Sequence, residues 1–327
     1  MGRCLESLPM SSLPAYAQAL GHGIHAIDTG FHRPLFDAAY LIVENGRAAF
    51  VDTGTNFAVP RLLGTLQALG LTPADVDYVI PTHVHLDHAG GVGALMQRLP
   101  NATAIVHPRG ARHMIDPTAL IAGATAVYGA EEIARSYGEI VGVPAQRVRE
   151  SADGMVIELA GRSLTLIDTP GHARHHHCVW DERSRGFFTG DTFGLSYREF
   201  DTAQGPWLLP TTTPVQFEPG PLRASVERLL SFQPECMYLT HYSRIGDVQR
   251  LGAWFLAQLE QLVAIGRSLK DAPERHEALK QALLAHYLET VKAHGCRYSD
   301  AEVAELLAVD LELNAQGLGI WLDKGAA

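Results

Sequence analysis

The chain has 327 residues, 46% of them hydrophobic, with 26 Lys and Arg against 36 Asp and Glu for a formal charge of −10. That length and apolar content suit a large α/β unit with an appendage, and the acidic balance argues against a nucleic-acid-binding surface, which is ordinarily basic. No run approaches the roughly 18–20 apolar residues that a membrane span needs. Met1-Gly-Arg-Cys-Leu-Glu6 lacks a signal-peptide apolar region, and Glu6 stands where a myristoylation pattern on Gly2 requires Ser or Thr. Cys4, Cys178, Cys236 and Cys296 lie far apart with no CxxC pair, which reads as reduced thiols in a cytoplasmic protein.

In chain order, Gly23–Asp28, Ala38–Val43 and Ala48–Asp52 are short β-rich runs, the last two joined by Glu44-Asn-Gly-Arg47, a strong hairpin signal. Val51-Asp-Thr-Gly54 closes this region, with Asp52 read as a turn cap or as an acceptor that steadies a metal-binding histidine. Val59, Leu62, Leu63, Leu66 and Leu69 recur at helical spacing before Gly70. Val76–Ile80 is a β-branched run, and 91–99 reads as a helix. Between them stands Pro81-Thr-His-Val-His-Leu-Asp-His-Ala-Gly-Gly91, which packs His83, His85, Asp87 and His88 into six residues. Read as extended chain, it would put His83, His85 and Asp87 on one face, with His88 offset at a helix start. Three histidines and an aspartate so close have few structural reasons to exist, and the offset suggests two neighbouring metals.

Ala102–His107 reads as a strand and Pro108 as a helix start, while 116–145 is irregular with a helical patch near 131–137. Met155–Leu159 and Ser163–Asp168 form a hairpin about Ala160-Gly-Arg162, and Thr169-Pro-Gly-His172 is a turn presenting His172. His177–Trp180 and Gly186–Thr189 are strands, the second running into Gly190-Asp191. Residues 194–221 read as a long loop whose Pro-rich part, 205–221, would wall a pocket. Leu222–Leu230 is helical, and Met237-Tyr-Leu-Thr-His241 is a strand ending on histidine. Beyond 246 strand signals vanish, and Leu251–Leu269, Pro273–His294 and Asp300–Leu311 are amphipathic helices. The pattern implies two similar sheet-and-helix halves in a domain at 1–245, with a helical extension at 246–327.

His172, Asp191 and His241 share the position type of the first cluster, a strand end, so seven donors can meet at one sheet edge. His83, His85 and His172 would hold one ion, Asp87, His88 and His241 a second, and a carboxylate at Asp191 can donate one oxygen to each. Nitrogen and oxygen donors without thiolate favour two divalent ions, zinc first, with iron or manganese the other options. His175, His176, Tyr197 and Tyr242, with Trp207, are candidates for substrate contact or for support of the ligands.

This constellation resembles the metallo-β-lactamase superfamily: His83-x-His85-x-Asp87-His88, Gly171-His172, Gly190-Asp191 and Thr240-His241 follow in that family's order, with Val51-Asp-Thr-Gly54 upstream. The resemblance implies a four-layer αββα sandwich over roughly residues 20–245 and the same division of ligands, with Asp191 bridging. The helical C-terminus resembles the glyoxalase II branch, although no basic cluster suited to a glutathione carboxylate is evident. His175 and His176 follow His172 as in uncharacterised members. Zinc lactamases often carry a Cys in the second site, and its absence here lowers the β-lactam reading.

The expectation is a dinuclear metallo-hydrolase in which metal-activated water attacks an ester, thioester, lactone or phosphodiester, with Asp87 orienting the water or carrying its proton. The alternatives are a mononuclear iron, persulfide dioxygenase-like oxidoreductase, whose ligands are a subset of those present, and a non-catalytic binding protein on this fold. The partner expected is a small-molecule substrate, with no nucleic acid and no membrane. The oligomeric state is left open, a homodimer being one option.

Overall fold

The computed structural model describes residues 12–325, so the readings made at Gly2, Cys4 and Glu6 lie outside the described residues. Two sheets form the centre. The first has seven strands in the order of the chain: β1 (Ala17–Gly21), β2 (Ile24–Asp28), β3 (Ala38–Glu44), β4 (Arg47–Val51), β5 (Val76–Ile80), β6 (Thr103–Val106) and β7 (Val148–Glu150). The second runs β13-β12-β11-β10-β9-β8, built from β8 (Met155–Leu159), β9 (Arg162–Asp168), β10 (His177–Asp181), β11 (Gly186–Gly190), β12 (Cys236–Leu239) and β13 (Ser243–Ile245). Antiparallel β1 to β4 continue into parallel β4 to β7, and the second sheet is antiparallel except where β11 meets β12.

Both hairpins expected from sequence form. Asn45 and Gly46 take φ of 46° and 76°, and Ala160 and Gly161 take 49° and 90°, the left-handed pairs that match the twist of the flanking strands. The edge strands β1 and β7 were not legible. Each is largely exposed, so neither carries the two-residue alternation that reveals a strand.

The helices are α1 (Val59–Ala68), α2 (Leu86–Ala89), α3 (Val92–Arg98), α4 (Pro108–Ile115), α5 (Thr118–Tyr128), α6 (Ala130–Ser136), α7 (Pro219–Ser231), α8 (Val248–Ser268), α9 (Arg275–Ala293), α10 (Asp300–Leu306) and α11 (Ala308–Asp323). Three apolar clusters make the layers. Tyr40, Ile42, Ile80 and Ile105 meet Leu164, Leu166, Phe188 and Tyr238 between the sheets. Leu62 and Leu66 of α1 with Leu95 and Met96 of α3 cover the outer face of the first sheet against Leu41, Phe50 and Val79. Leu222 and Leu229 of α7, Phe255 and Leu259 of α8 and Leu318 of α11 cover the second sheet against Phe187, Met237 and Leu239. The architecture is therefore an αββα sandwich, and the C-terminal helices share their apolar cluster with the second sheet.

Several boundaries differ from expectation. Helix α9 begins at Arg275 after a left-handed Glu274 rather than at Pro273. The helix expected over Asp300–Leu311 breaks at Leu307 and resumes to Asp323. Much of the stretch 205–221 packs against the C-terminal helices. Trp207 is buried against Phe200 and Tyr287, and Asn314 of α11 takes the Thr212 backbone N–H on its side-chain oxygen at 2.7 Å. Only its end reaches the His172 turn, where Glu218 N–H donates to Gly171 O. No helix among the described residues is long and apolar enough to cross a membrane. Cys178, Cys236 and Cys296 are free thiols.

Candidate metal centre

The chemistry collects at the edge where β4, β5, β9, β11 and β12 end, followed respectively by Asp52, the His83–His88 run, His172, Asp191 and His241. Backbone hydrogen bonds lock this edge across the two sheets: His177 N–H donates to Thr82 O at 2.9 Å and Ala38 N–H to Thr240 O at 2.8 Å. One expectation needs correcting. The chain after Ile80 is not extended through the cluster, because His85 caps the one-turn helix α2, on which Asp87 and His88 both lie. The helical turn swings His88 inward to complete burial and leaves Asp87 part-open to solvent.

Three imidazoles converge first. His83 Nε2 and His172 Nε2 lie 2.8 and 3.1 Å from His85 Nδ1. Ligands of a tetrahedral ion at 2.0–2.1 Å stand roughly 3.3 Å apart, so these nitrogens are nearly at coordination spacing without one. The second set is His88, Asp87 and His241. His241 Nε2 is 3.4 Å and His88 Nε2 is 3.7 Å from Asp87 Oδ2. Asp191 stands between them. Its Oδ2 is 3.5 Å from His172 Nε2, while its Oδ1 is 3.3 Å from His88 Nε2 and 3.8 Å from His241 Nε2.

The residues fit metal ions on three counts. His88 Nε2 and Asp191 Oδ1 are buried 3.3 Å apart without a well-formed hydrogen bond between them or to any other group, an arrangement that an ion between them would satisfy. The groups His83–His85–His172, His83–His88–Asp191 and Asp87–His88–His241 each gather their donor atoms within 4.8 Å. The donors are nitrogen and carboxylate oxygen, borderline to hard ligands suited to zinc, manganese or iron.

A layer of hydrogen bonds fixes which nitrogen each histidine offers. Asp52 accepts from Thr82 N–H at 2.7 Å, from the Thr82 hydroxyl, from the Thr240 hydroxyl at 2.7 Å and from His88 Nδ1 at 2.9 Å. Since the Thr82 proton goes to Asp52, the Thr82 oxygen is left to accept from His83 Nδ1 at 3.2 Å. His241 Nδ1 donates to Phe36 O at 3.0 Å. In all three rings Nδ1 carries its proton outward, which leaves Nε2 as the nitrogen that faces the centre. The sequence presented Asp52 as a possible support for one histidine; the structure gives it bonds to both halves of the site.

Two glycines are obligatory. A Cβ on Gly190, whose φ is 48°, would stand 2.5 Å from Thr82 Oγ1 and 2.6 Å from His176 Nε2. One on Gly171, φ 138°, would overlap the Leu222 backbone. The residues that deliver Asp191 and His172 therefore have no room for a side chain.

The supporting candidates divide. His176 is buried behind the centre, where Nε2 accepts from Asp191 N–H at 3.3 Å and Nδ1 meets the hydroxyls of Thr169 and Thr192. The His175 ring lies 5.5 Å from that of His85, and its Nδ1 faces Val84 N–H at 3.5 Å. Both flank the ligands because β10 begins only at His177, so strand alternation does not separate them. His177 turns away to Ser151. Tyr197 lies beside the centre, its ring edge-on to that of His241 with centroids 6.5 Å apart, and Tyr242 directly follows His241. Tyr197 is buried and donates to Asp310 of α11 at 3.0 Å, and Tyr242 packs between the sheets with Tyr40 and Tyr238. Phe36, whose carbonyl and ring both meet His241, carries no recognisable sequence signal. Thr82 and Thr240 do: each immediately precedes a candidate ligand histidine at a strand end.

Burial holds the three histidines of the first set neutral, pushing His83 well below the ordinary imidazole range, His85 to about 3 and His172 to about 4. In the second set burial acts the same way, but the carboxylates override it. Asp191, Asp87 and Asp52 hold His88 well above its ordinary range, and hydrogen bonding to Asp87 with the charge of Asp191 raises His241 to about 9. Without an ion, His88 and His241 thus carry protons that balance Asp87 and Asp191, both held low by the same pairing. A metal must displace those protons. Loading metal-free protein near pH 7 is expected to release protons from this pair, followed with a pH indicator in weak buffer. The His241 share must fall as pH rises through about 9, because that ring is then already neutral. A release that is independent of pH between about 7 and about 10 contradicts the assignment.

Comparison with known proteins agrees with this geometry. The family described as the metallo-beta-lactamase superfamily matches residues 32–241. An N-acyl homoserine lactonase AttM of Azorhizobium caulinodans is 34% identical over 111 residues, covering 34% of this chain and 38% of that protein. The chain thus aligns with under two fifths of the length of that relative. A metallo-beta-lactamase fold-containing protein of Sulfurisphaera tokodaii is 25% identical over 232 residues, 67% of this chain and 78% of that protein. Among solved structures, a metallo-beta-lactamase family protein from Thermus thermophilus superimposes with a TM-score of 0.65 at 24% identity, over 94% of this chain and 96% of that one. That last is a likeness of fold.

Proposed function

Because the chain belongs to the metallo-β-lactamase superfamily, we propose that it is a dinuclear metal-dependent hydrolase acting on a small-molecule carbonyl ester, a lactone first, with open esters, thioesters and phosphodiesters as the wider class. The observation that carries this reading is Asp191, whose two oxygens face different ligand sets, Oδ2 toward His172 and Oδ1 toward His88 and His241. A single-ion site has no use for that division. The similarity to N-acyl homoserine lactonases, at 34% identity over 111 residues, supports a lactone as first choice.

His83, His85 and His172 would hold one divalent ion, zinc first, and Asp87, His88 and His241 another, with Asp191 shared. Ions bound there supply an acidified water and an electrophilic face toward a carbonyl oxygen. The chain's own part is orientation. His85 and Asp87 are the ligands left partly open, so substrate approaches past them. Asp87, ionised and on the open side, accepts a hydrogen bond from the attacking water and carries its proton toward the leaving oxygen. The fixed tautomers of His83, His88 and His241 spare the site any rearrangement on loading.

Metal-reconstituted protein offered lactones, methyl esters, thioesters, phosphodiesters and β-lactams is expected to hydrolyse the lactone or ester best and to lose that activity in chelator. Oxygen uptake with a persulfide on a single iron, without hydrolysis, would establish the oxidoreductase alternative instead.

A further inference from the structure

His241 is held by a pair of aromatic rings that lead to the C-terminal helices. Phe36 O takes the His241 Nδ1 proton, and the Phe36 ring packs edge-on to His241 with centroids 5.2 Å apart. The Tyr197 ring stacks on that of Phe36 at 5.0 Å and 17°, and it too stands edge-on to His241. Backbone bonds press the same segment against the ligand: Ser196 N–H donates to His241 O, and Tyr242 N–H donates to Ser196 O at 3.3 Å. Rings placed this way fix the direction of His241 Nε2 only if they cannot slide.

Asp310 of α11 supplies that restraint. Tyr197 donates its hydroxyl to Asp310 Oδ1 at 3.0 Å, and both residues are buried. Burial holds the Tyr197 hydroxyl well above its usual range and raises Asp310 only to about 6. At neutral pH the phenol therefore donates and a carboxylate accepts, which is the stronger kind of hydrogen bond. Asp310 Oδ2 is buried without a partner, as is Nη2 of Arg33, whose guanidinium lies 4.5 and 4.6 Å from the Phe36 and Tyr197 rings. An idle buried carboxylate oxygen is costly, and an apolar pair of the same shape would fill the space without that cost, so packing alone does not account for the Tyr197–Asp310 pair. Among the described residues, no hydrogen bond or ring contact joins a residue after 246 to His83, His85 or His172.

We propose that Tyr197 is a positioning residue for His241, locked in place by Asp310, and that through this pair the helices after residue 246 set the affinity of the Asp87–His88–His241 site while leaving the His83–His85–His172 site alone. The proposal rests on the two-ion reading given above. A ring already aimed at the centre loses less freedom when an ion binds than one that must first be ordered. Residues that hold a ligand histidine from behind are worth about 10–100-fold in metal affinity, and Tyr197, one contact further out, belongs at the lower end of that range.

The test adds zinc to the full metal-free chain against a competing chelator and follows the histidine rings in nitrogen–proton NMR spectra. Each site then reports through its own rings, His83 and His172 for one, His88 and His241 for the other. Tyr197→Phe keeps the stack and removes the hydroxyl, and Asp310→Leu removes its acceptor. Each is expected to weaken the His241 site about tenfold and to leave the His83 site within about twofold. The double variant should lose no more than either single one, and Asp310→Asn, which retains an acceptor oxygen, should stay within about twofold of the parent. Equal weakening of both sites, or an unchanged His241 site in Tyr197→Phe, overturns the proposal. Solvent exchange of the His241 Nδ1 proton in metal-free protein gives a readout that needs no ion: Tyr197→Phe should speed it at least about tenfold and leave the His83 Nδ1 proton unchanged. Unaltered exchange at His241 overturns the proposal too. A parent chain that fills only one site, with exchange at His241 still accelerated in Tyr197→Phe, sinks the two-ion reading and leaves the positioning role standing.

Discussion

Asp191→Ala is expected to lower hydrolysis by at least about 10³-fold, since electrostatic stabilisation worth roughly 4 kcal/mol is lost when an ion leaves such a centre. Asp191 turns its two oxygens to different ligand sets, 3.5 Å from His172 and 3.3 Å from His88. Its backbone N–H is held by His176 and its predecessor is a glycine with no space for a Cβ, so the carboxylate has little freedom to be replaced by a neighbour. Elemental analysis of the variant should find no more than one ion per chain. Asp191→Asn keeps the shape but removes the charge that offsets two cations, and it should fall between the alanine variant and the parent. Full metal content in Asp191→Ala contradicts a shared carboxylate.

Asp52→Ala is expected to cost stability as well as metal. The substitution leaves Thr82 N–H, the Thr240 hydroxyl and His88 Nδ1 without their acceptor in a region that is fully buried. Each unsatisfied buried donor costs about 1–3 kcal/mol, and the group acts as a unit, so a total of about 3–5 kcal/mol is reasonable. Urea denaturation of metal-free protein measures this. Because Asp52 sets the tautomers of both His83 and His88, metal affinity should fall about 10–100-fold in addition. Asp52→Asn retains one acceptor oxygen and should recover part of the stability. An Asp52→Ala variant as stable as the parent, with unchanged affinity, would show that Asp52 does not support the centre.

The parts that were legible in sequence and the parts that were not have physical reasons. The candidate ligands announce themselves because His83, His85, Asp87 and His88 fall within six residues, and because His172, Asp191 and His241 each follow a β-branched or aromatic run at a strand end. Hairpins at Asn45-Gly46 and Ala160-Gly161 announce themselves through residues that tolerate positive φ. What the sequence hides is contact between distant segments. Tyr197 reads as a loop aromatic near a pocket, yet a partner 113 positions away, Asp310, captures its hydroxyl. Asp37 gives no hint that burial raises it to about 7, with the Thr29 hydroxyl donating to it. Phe36 looks like any loop phenylalanine until its carbonyl is seen to orient His241.

Seven side chains from the strand ends of both sheets are proposed to hold two ions that work together. Hydrolysis of the preferred lactone or ester by metal-free protein, followed as cobalt or zinc is added back in known equivalents, tests it most directly. Activity is expected to rise to a break at two equivalents per chain. Full activity at one equivalent, with no change on adding the second, would contradict it.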